Sequence, residues 1–313
     1  MEQYRAFGLD ISSELPLDLP SAGAKDRTGA EDHPGAPGPG LSVSIVRCGV
    51  LPRDDLPLSL GRIRYGRTAT GFQVEVPWAG RYLMANRYLM TDGCRITVDA
   101  LPEASDGMVA TYITGFLLQF ILDAAGALIL HGSAIRHRGR AFLFCGSQGA
   151  GKSTLAAALA RRGCPVLCDD AIPVLPGPLA LPGIPSLKLL PDAYERLVGT
   201  PAEEQAPCDG DGKYRAEFGS ALEPLPLASL FVLDPGGYDR VVASPLKGME
   251  KIRAILDNTN NFGGLAGVTA LFQRATTTLG SVPVYRLGRP ATGDSLDEVA
   301  AVVLDHIGGT EYV

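Results

Sequence analysis

Short segments in which apolar and polar positions alternate run through the first hundred residues of the chain. They are rich in β-branched and aromatic side chains and are separated by Gly, Pro, Asp and Asn, a pattern typical of strands joined by turns. The pattern predicts a β-rich domain over residues 1–105. The predicted strands are Tyr4–Ile11, Leu41–Val46, Ile63–Tyr65, Gly71–Val76, Tyr82–Met84, Tyr88–Thr91 and Arg95–Val98.

Residues 21–40 depart from that alternation. The segment is small, polar and rich in Pro and Gly, and it has no aliphatic or aromatic side chain larger than that of alanine. Such a composition buries too little apolar surface to offset the conformational entropy that is lost on ordering. We therefore expect a mobile loop here.

A helical spacing of apolar residues begins after Asp106. These positions share one face of a helix, and they are Ile113, Phe116, Leu117, Phe120 and Ile121. The segment 108–130 is apolar enough to suggest a membrane span, but Asp123 would then lie inside the span at considerable cost. A buried core helix, with no membrane contact, is the better interpretation. We place the start of a second domain, residues 106–313, at this helix.

Strands and helices alternate through the second domain, which is typical of an α/β fold. The predicted strands are Leu128–Leu130, Ala134–Arg136, Ala141–Cys145, Val166–Cys168, Leu187–Leu190, Ser229–Leu233 and Val284–Leu287. The predicted helices are Lys152–Arg162, Ala193–Val198, Met249–Asn258, Leu265–Leu279 and Ser295–His306.

Bulk properties narrow the classes of function. The 313 residues carry a formal net charge of −6 without a dense stripe of Lys and Arg, which argues against a nucleic-acid partner. The six cysteines lack the CxxC spacing that is typical of a zinc site. The first ten residues carry charges where a signal peptide needs an apolar run. We therefore expect a cytoplasmic protein with reduced cysteines.

A glycine-rich segment lies between the predicted strand Ala141–Cys145 and an alanine-rich helix. Glycines let the backbone wrap so that its N–H groups point at phosphate oxygens, and the helix N-terminus adds positive potential. We expect Lys152 to reach the β- and γ-phosphates of ATP and Ser153 to ligate Mg²⁺. The expected nucleotide-binding residues are Gly146, Ser147, Gln148, Gly149, Ala150, Gly151, Lys152, Ser153 and Thr154.

Two further features carry candidate chemistry. The predicted strand Val166–Cys168 ends in Asp169 and Asp170, whose carboxylates point to different sides because they are successive. One can hold the metal while the other accepts a proton from an attacking hydroxyl, although an aspartate pair also caps turns. His131 ends the predicted strand Leu128–Leu130, and a lone histidine is more often structural than catalytic.

Together these segments resemble the bacterial HPr kinase/phosphorylase family. The histidine of a His-Gly pair, His131, precedes the glycine-rich segment, and Asp169-Asp170 follows it, both at the spacings of the family. The resemblance implies an α/β P-loop kinase core preceded by a smaller β-rich domain. It implies that the catalytic residues are Asp169 as the base, His131 beside it and Lys152 on the phosphates. Ser153 and Asp170 would lie on the metal side.

The chain also departs from that family. Residues 181–189 lack the glutamate of the family's signature, and its later arginine-bearing loop has no match, which leaves HPr as acceptor and the reverse reaction open. The chain is more similar to HPr-kinase-related proteins found beside peptide-modification systems, including kinases of lasso-peptide precursors. That similarity rests on Gly183–Leu189 and Gly212–Arg215. It implies transfer to a serine hydroxyl of a precursor peptide.

Three functions stay open. An ATP-dependent kinase can act on a serine or threonine of a peptide or protein, or on a small molecule such as an amino acid or a sugar. The glycine-rich segment can also be the switch of a nucleotide-sensing regulator without transfer activity. Asp169 and His131 favour the kinases, because a sensor needs no base aimed at an acceptor. The sequence leaves the oligomeric state open, a homo-oligomer included, and also the nucleotide base.

Overall fold

The computed structural model describes residues 1–22, 42–51, 54–69, 71–85, 94–205, 212–260 and 267–309. These residues fall into two compact units. The first contains the described residues of 1–127 together with 267–270, and the second contains those of 128–260 and 271–309. We expected the second domain to begin near Asp106, whereas the helix that begins there clusters with the first unit.

The first unit contains an eight-stranded sheet with the order β1-β2-β3-β8-β7-β6-β5-β4. Its strands are β1 (Glu2–Ala6), β2 (Leu9–Ser13), β3 (Ser42–Arg47), β4 (Leu58–Leu60), β5 (Ile63–Arg67), β6 (Phe72–Val76), β7 (Gly80–Ala85) and β8 (Cys94–Ala100). Buried and exposed positions alternate in β1 and β2, as in a sheet with one face on a core.

One predicted strand of this unit is wrong. Tyr4–Ile11 is not a single strand but a hairpin, because the chain reverses at Phe7 and Gly8. Both residues have positive φ, +56° and +69°, as in the two-residue hairpin turn whose twist matches that of the strands it connects. The predicted strand Tyr88–Thr91 lies outside the described residues, and so does the expected loop 21–40 beyond Ser21 and Ala22.

A long apolar helix completes the first unit. It consists of α1 (Asp106–Tyr112), a π-helical turn (Ile113–Leu117) and α2 (Leu118–Ala124). By length and composition the whole segment could cross a membrane, but 61% of its most apolar window is buried within the fold. The ring of Phe120 stacks on that of Phe72 with centroids 3.9 Å apart. This packing agrees with the predicted core helix.

The second unit combines a mixed sheet with helices. Its strands are β9 (Leu128–His137), β10 (Arg140–Gly146), β11 (Val166–Leu175), β12 (Leu179–Ala180), β13 (Ser186–Leu189), β14 (Tyr214–Glu217), β15 (Leu225–Pro235), β16 (Val242–Pro245) and β17 (Val284–Arg289). Its helices are α3 (Lys152–Ala160), α4 (Pro191–Val198), α5 (Gly248–Asp257), α6 (Val268–Leu279), which belongs to this unit from Leu271 on, and α7 (Leu296–Gly309). The seven-stranded sheet has the order β10-β9-β11-β12-β15-β17-β16, and an extra pairing of β10 with β15 closes five strands into a cycle.

A buried strand and a buried helix frame the glycine-rich segment. Every residue of β10 after Arg140 is buried, as in strands covered on both faces. The helix α3 is rich in alanine, which has the highest helix propensity, and Leu155–Leu159 are buried. The rings of Phe144 and Phe231 stack beside it at 5.8 Å. The segment between strand and helix is therefore held at both ends by packed core.

The strand that carries the aspartate pair is longer than predicted. We expected it to end at Cys168, whereas β11 continues to Leu175, so Asp169 and Asp170 lie in the middle of a strand. The antiparallel pairing of β11 with β9 supplies the hydrogen bonds that carry the strand past the two carboxylates. The pair therefore faces a neighbouring strand instead of a loop.

Candidate active site

The glycine-rich loop, Gly146–Ser153, runs from the end of β10 into the start of α3. Gly146 has φ +139°, and a Cβ added there would lie 2.8 Å from the carbonyl oxygen of Leu233. Only glycine therefore lets the chain turn this close to β15. The exposed members of the loop are Ser147, Gln148 and Gly149, and Ala150 is buried.

Lys152 reaches back across the loop. Its Nζ donates hydrogen bonds to the carbonyl oxygens of Gly146 at 2.9 Å and Ser147 at 3.1 Å. Burial lowers the pKa of Lys152, while nearby acidic groups that include Asp169 raise it. The ammonium thus lies within the glycine-rich loop, held by its main chain.

Asp169 is the buried centre of the site. Its Oδ1 accepts hydrogen bonds from the Ser133 hydroxyl at 2.6 Å and the Ser153 hydroxyl at 3.1 Å. Its Oδ2 accepts one from the Lys188 main-chain N–H at 3.2 Å. Burial raises the pKa of the Asp169 carboxyl, although these three donors act in the opposite direction. The carboxylate therefore ties the loop to strands β9 and β13.

Asp170 points elsewhere and meets His131. Its side chain is 56% exposed, and its φ of +72° is rare for a residue other than glycine. The His131 Nδ1 lies 3.0 Å from the Asp170 carbonyl oxygen and 3.5 Å from Oδ1 of the same residue. A carbonyl oxygen only accepts hydrogen bonds, so Nδ1 carries the proton and Nε2 of the neutral ring keeps its lone pair.

Strand register brings the histidine and the aspartates together. In the pairing of β9 with β11, Asp169 lies opposite Ser133 and Asp170 opposite Gly132. A Cβ at Gly132 would lie 2.4 Å from the carbonyl oxygen of Phe144, so the glycine allows β9 to approach β10. In the His-Gly pair noted in the sequence, His131 therefore supplies a side chain that can take part in chemistry, and Gly132 occupies a position where no side chain fits.

Asn258 belongs to the site, although it is not among the site residues predicted from the sequence. Its Oδ1 accepts the main-chain N–H of Gly146 at 2.7 Å, and its carbonyl oxygen accepts that of His131 at 2.8 Å. The side chain at the end of α5 thus links the glycine-rich loop to the histidine. Its polar neighbours were the only signal in the sequence, and they are equally typical of a helix end.

Basic residues approach from a two-stranded ribbon. The segments Gly183–Leu189 and Gly212–Arg215, which carry the resemblance to peptide-modifying kinases, meet as β13 and β14, where Lys188 pairs with Arg215. The Lys188 Nζ lies 3.9 Å from Oδ2 of Asp170. The positive charge of Lys213 contributes to the lowered pKa of Lys152. Both lysines therefore place positive charge near the site.

The donor atoms at this point fit a magnesium ion. Ser153 Oγ and Asp169 Oδ1 lie 3.1 Å apart, and hydroxyl and carboxylate oxygens are the ligands that Mg²⁺ prefers. Within the described part of the chain, no three His, Cys, Asp or Glu side chains gather closely enough to hold a metal ion by themselves. Magnesium is usually held by one or two protein groups together with phosphate oxygens, and this donor set is of that kind.

A cleft of about 840 Å³ opens beside the loop and His131. Gly146, Ser147 and Gln148 form one side of it, and Asn258 lies on the α5 side. The rest of the lining is partly apolar and includes five charged residues: Asp234, Glu250, Arg253, Asp257 and Arg286. The cleft therefore gives a molecule of substantial size access to the histidine and to the strand side of the loop.

The structure brings the expected catalytic and metal-side residues together. They form two pairs, Ser153 with Asp169 at 3.1 Å and His131 with Asp170 at 3.5 Å, which are linked because the two aspartates are successive in β11; Lys152 lies in the adjoining loop. Thr154 follows Ser153 in the first turn of α3. Asp169, which we expected on the acceptor side, contacts Ser153, whereas Asp170, which we expected on the metal side, contacts His131.

Comparisons with known proteins add little to this geometry. No protein-family model matches the chain, and no curated protein matches it. Among solved structures, the chain is similar to the Hpr(Ser) kinase/phosphatase from Coxiella burnetii, at 14% sequence identity and a TM-score of 0.33. The match covers 59% of this chain and 99% of that one. A likeness with this TM-score carries no information about the chemistry of the site.

Proposed function

We propose that this protein is an ATP- and Mg²⁺-dependent kinase that transfers the γ-phosphate to a serine hydroxyl of a peptide or protein. The observation that supports the proposal is the juxtaposition of Ser153, Asp169, Asp170 and His131. Groups suited to a nucleotide and its metal thereby adjoin a histidine with a free lone pair. A nucleotide sensor has no need of the second half of this arrangement.

The glycine-rich loop and Lys152 hold the donor. Main-chain N–H groups at the start of α3 would surround the phosphates, and the Lys152 ammonium would follow the charge of the migrating phosphoryl group. Ser153 and Asp169 would hold Mg²⁺, which when bound neutralises charge on the phosphate oxygens. Asp169 suits this role because it is buried and its Oδ1 already accepts the Ser153 hydroxyl.

His131 and Asp170 serve the acceptor. The hydroxyl proton passes to His131 Nε2, the hydroxyl oxygen attacks the γ-phosphorus, and the bond from that phosphorus to the β–γ bridging oxygen of ATP breaks to release ADP. The Asp170 carboxylate, 3.5 Å from Nδ1, stabilises the imidazolium that forms. This reverses the roles that the sequence resemblance implied for the two aspartates.

The acceptor enters through the cleft beside His131. Its volume of about 840 Å³ lies in the upper part of the range for ligand sites, which suits a peptide segment better than a single amino acid. Charges of both signs line this cleft, among them Arg286 and Glu250, which form an ion pair at 2.6 Å that a polar acceptor would have to exchange or extend. We take a ribosomally made precursor peptide of the lasso type as the first acceptor to test, with an amino acid or sugar as the alternative.

The test is a transfer assay with defined acceptors. Purified protein, ATP and Mg²⁺ are incubated with the precursor peptide encoded beside its gene, and mass spectrometry locates the added phosphate. We expect a phosphoserine in the peptide, with free serine and HPr unmodified. Lys152→Ala should abolish transfer, whereas Lys247→Ala, an exposed lysine that does not line the cleft, should leave it unchanged.

Each contrary result selects another function. Phosphorylation of free serine or a sugar without a peptide product would establish the small-molecule kinase. Tight ATP binding with no transfer to any acceptor would establish the nucleotide sensor. Normal transfer by Lys152→Ala would show that the glycine-rich loop does not hold the donor.

A further inference from the structure

A second cavity lies on the helix side of the glycine-rich loop. It has a volume of about 300 Å³ and is separate from the cleft that contains His131, because no residue except Leu233 lines both. Gly151, Thr154 and Leu155 form one wall of the cavity. The opposite walls come from Ala193 on α4 and from Ser295, which directly precedes α7.

We propose that this cavity holds the base of the nucleotide whose phosphates the glycine-rich loop binds. The inference rests on the proposed function, since it assumes that the loop binds a nucleoside triphosphate. It adds a site for the part of the ligand that the loop itself does not contact. Gly151 and Thr154, which lie in or next to the glycine-rich loop, also line this cavity, so it adjoins the phosphate site.

The direction of the phosphate chain carries the argument. Lys152 contacts the β- and γ-phosphates in a loop of this kind, and main-chain N–H groups hold the α- and β-phosphates. The γ-phosphate must face His131, which lies at the Gly146 end of the loop. The α-phosphate and the sugar therefore leave at the other end, past Thr154, where the cavity opens.

The walls of the cavity suit a flat aromatic ring. Leu155 and Leu287 are each 1% exposed and Val299 is 4% exposed, so this part of the lining is packed and apolar. A volume of 300 Å³ is at the lower limit for ligand sites and is too small for a whole nucleoside triphosphate. An apolar slot of that size binds a base by contact with its faces.

Part of the polar rim of the cavity is already paired. Arg196 forms an ion pair with Asp294, and its other terminal nitrogen lies 3.1 Å from the carboxylate of Asp297. Asp294 also accepts the main-chain N–H of Leu296 at 3.1 Å. This network links α4 to the start of α7, so ion pairs connect the two walls of the cavity.

The experiment fills the cavity with a large side chain from either wall and compares the binding of two ligands. The variants are Ala193→Phe and Ser295→Phe, and the control is Val198→Phe, a 38% exposed position on the same helix as Ala193 and outside the cavity lining. Dissociation constants are measured by calorimetry with Mg²⁺ for ATP and for inorganic tripolyphosphate, which has the phosphates without a base.

We expect each slot-filling variant to bind ATP at least about ten-fold more weakly and tripolyphosphate within about two-fold of the wild type. Val198→Phe should bind both ligands as the wild type does. Retained tripolyphosphate binding shows that a variant is folded and that its loop is intact.

Two results would overturn the base site. One is unchanged ATP affinity in both slot-filling variants, and the other is an equal loss of affinity for both ligands in both variants. A wild-type protein that binds neither ligand would instead overturn the proposed function, and the base site with it, which separates the two failures.

Discussion

The carboxylate of Asp169 is buried within the second unit, and only 8% of the residue is exposed. Burial raises the pKa of this group in the folded protein above its value in the unfolded chain. A raised pKa means that folding favours the neutral form. The stabilising contribution is therefore complete below the unfolded pKa, about 3.9, and is lost as the pH rises through the folded pKa.

The pH dependence of this contribution to stability can be measured by comparing the wild type with Asp169→Asn, whose amide does not titrate. We expect the melting temperature of the wild type, minus that of the variant, to fall as the pH is raised from about 3.5 to 7. Thermal scans at several pH values give this difference directly. A difference that grows with pH would mean that the hydroxyl and amide donors outweigh burial and that the pKa is lowered.

The roles proposed for the two sides of the site predict different kinetics. Asp169→Asn should weaken the dependence of ATP binding on Mg²⁺, because it removes a charged oxygen from the metal side. His131→Gln should leave ATP binding within a few-fold and lower transfer by about a hundred-fold or more, the scale for a lost general base.

Titration of ATP with and without Mg²⁺, together with single-turnover transfer rates, distinguishes the two variants. An Asp169→Asn protein with normal Mg²⁺ dependence and a large loss in rate would restore Asp169 as the base, as the sequence resemblance implied.

At the scale of elements, the end of helix α5 supports the glycine-rich loop through Asn258. Asn258→Ala leaves the main-chain N–H of Gly146 without its acceptor, and an unpaired buried donor costs about 1–3 kcal/mol. We expect the free energy of unfolding to fall by about that amount and ATP affinity to fall with it. Urea denaturation and calorimetry measure the two effects.

Thr259→Val is the matched control for this prediction. The Thr259 hydroxyl donates only to the carbonyl oxygen of Ile255, within the same helical turn, and should change stability by no more than about 0.5 kcal/mol. Equal effects of the two substitutions would mean that Asn258 merely ends the helix.

Local patterns made the central elements predictable. The apolar run at Ala141–Cys145 and the alanine-rich run after Lys152 each form the predicted element, because their periodicity and propensity depend only on neighbouring residues. The same holds for the strand at Val284–Leu287, which lies within β17.

Features set by distant residues could not be predicted in this way. The continuation of β11 past Asp170 depends on pairing with β9, some forty residues earlier. The contact of Asn258 with Gly146 spans 112 residues of sequence. The turn at Phe7-Gly8 was missed because a phenylalanine at positive φ contradicts the usual turn residues.

At the scale of the whole molecule, the helical segment that follows the sheet stabilises the first unit. Phe120 is 5% exposed and stacks on Phe72, so Phe120→Ala should lower the free energy of unfolding by about 3–5 kcal/mol. Met108→Ala, at a 41% exposed position of the same helical segment, should change it by less than about 0.5 kcal/mol.

Denaturation monitored by far-UV circular dichroism tests this pair of variants. A small effect of Phe120→Ala would mean that the apolar helix contributes little to the core of the unit. Such a result would also remove the packing argument against a membrane role for this segment.

The pairing of β9 with β11 constrains how this protein can change in evolution. Side chains alternate between the faces of a strand, so one inserted or deleted residue turns every following side chain to the opposite face. A deletion in β11 just before Asp169 would exchange the buried carboxylate for the exposed one, and a deletion of Gly132 would change the face on which Ser133 lies relative to His131. Descendants of this chain can therefore alter these strands by substitution and vary the connecting loops in length. A change of length within the strands would cost them the site in a single step.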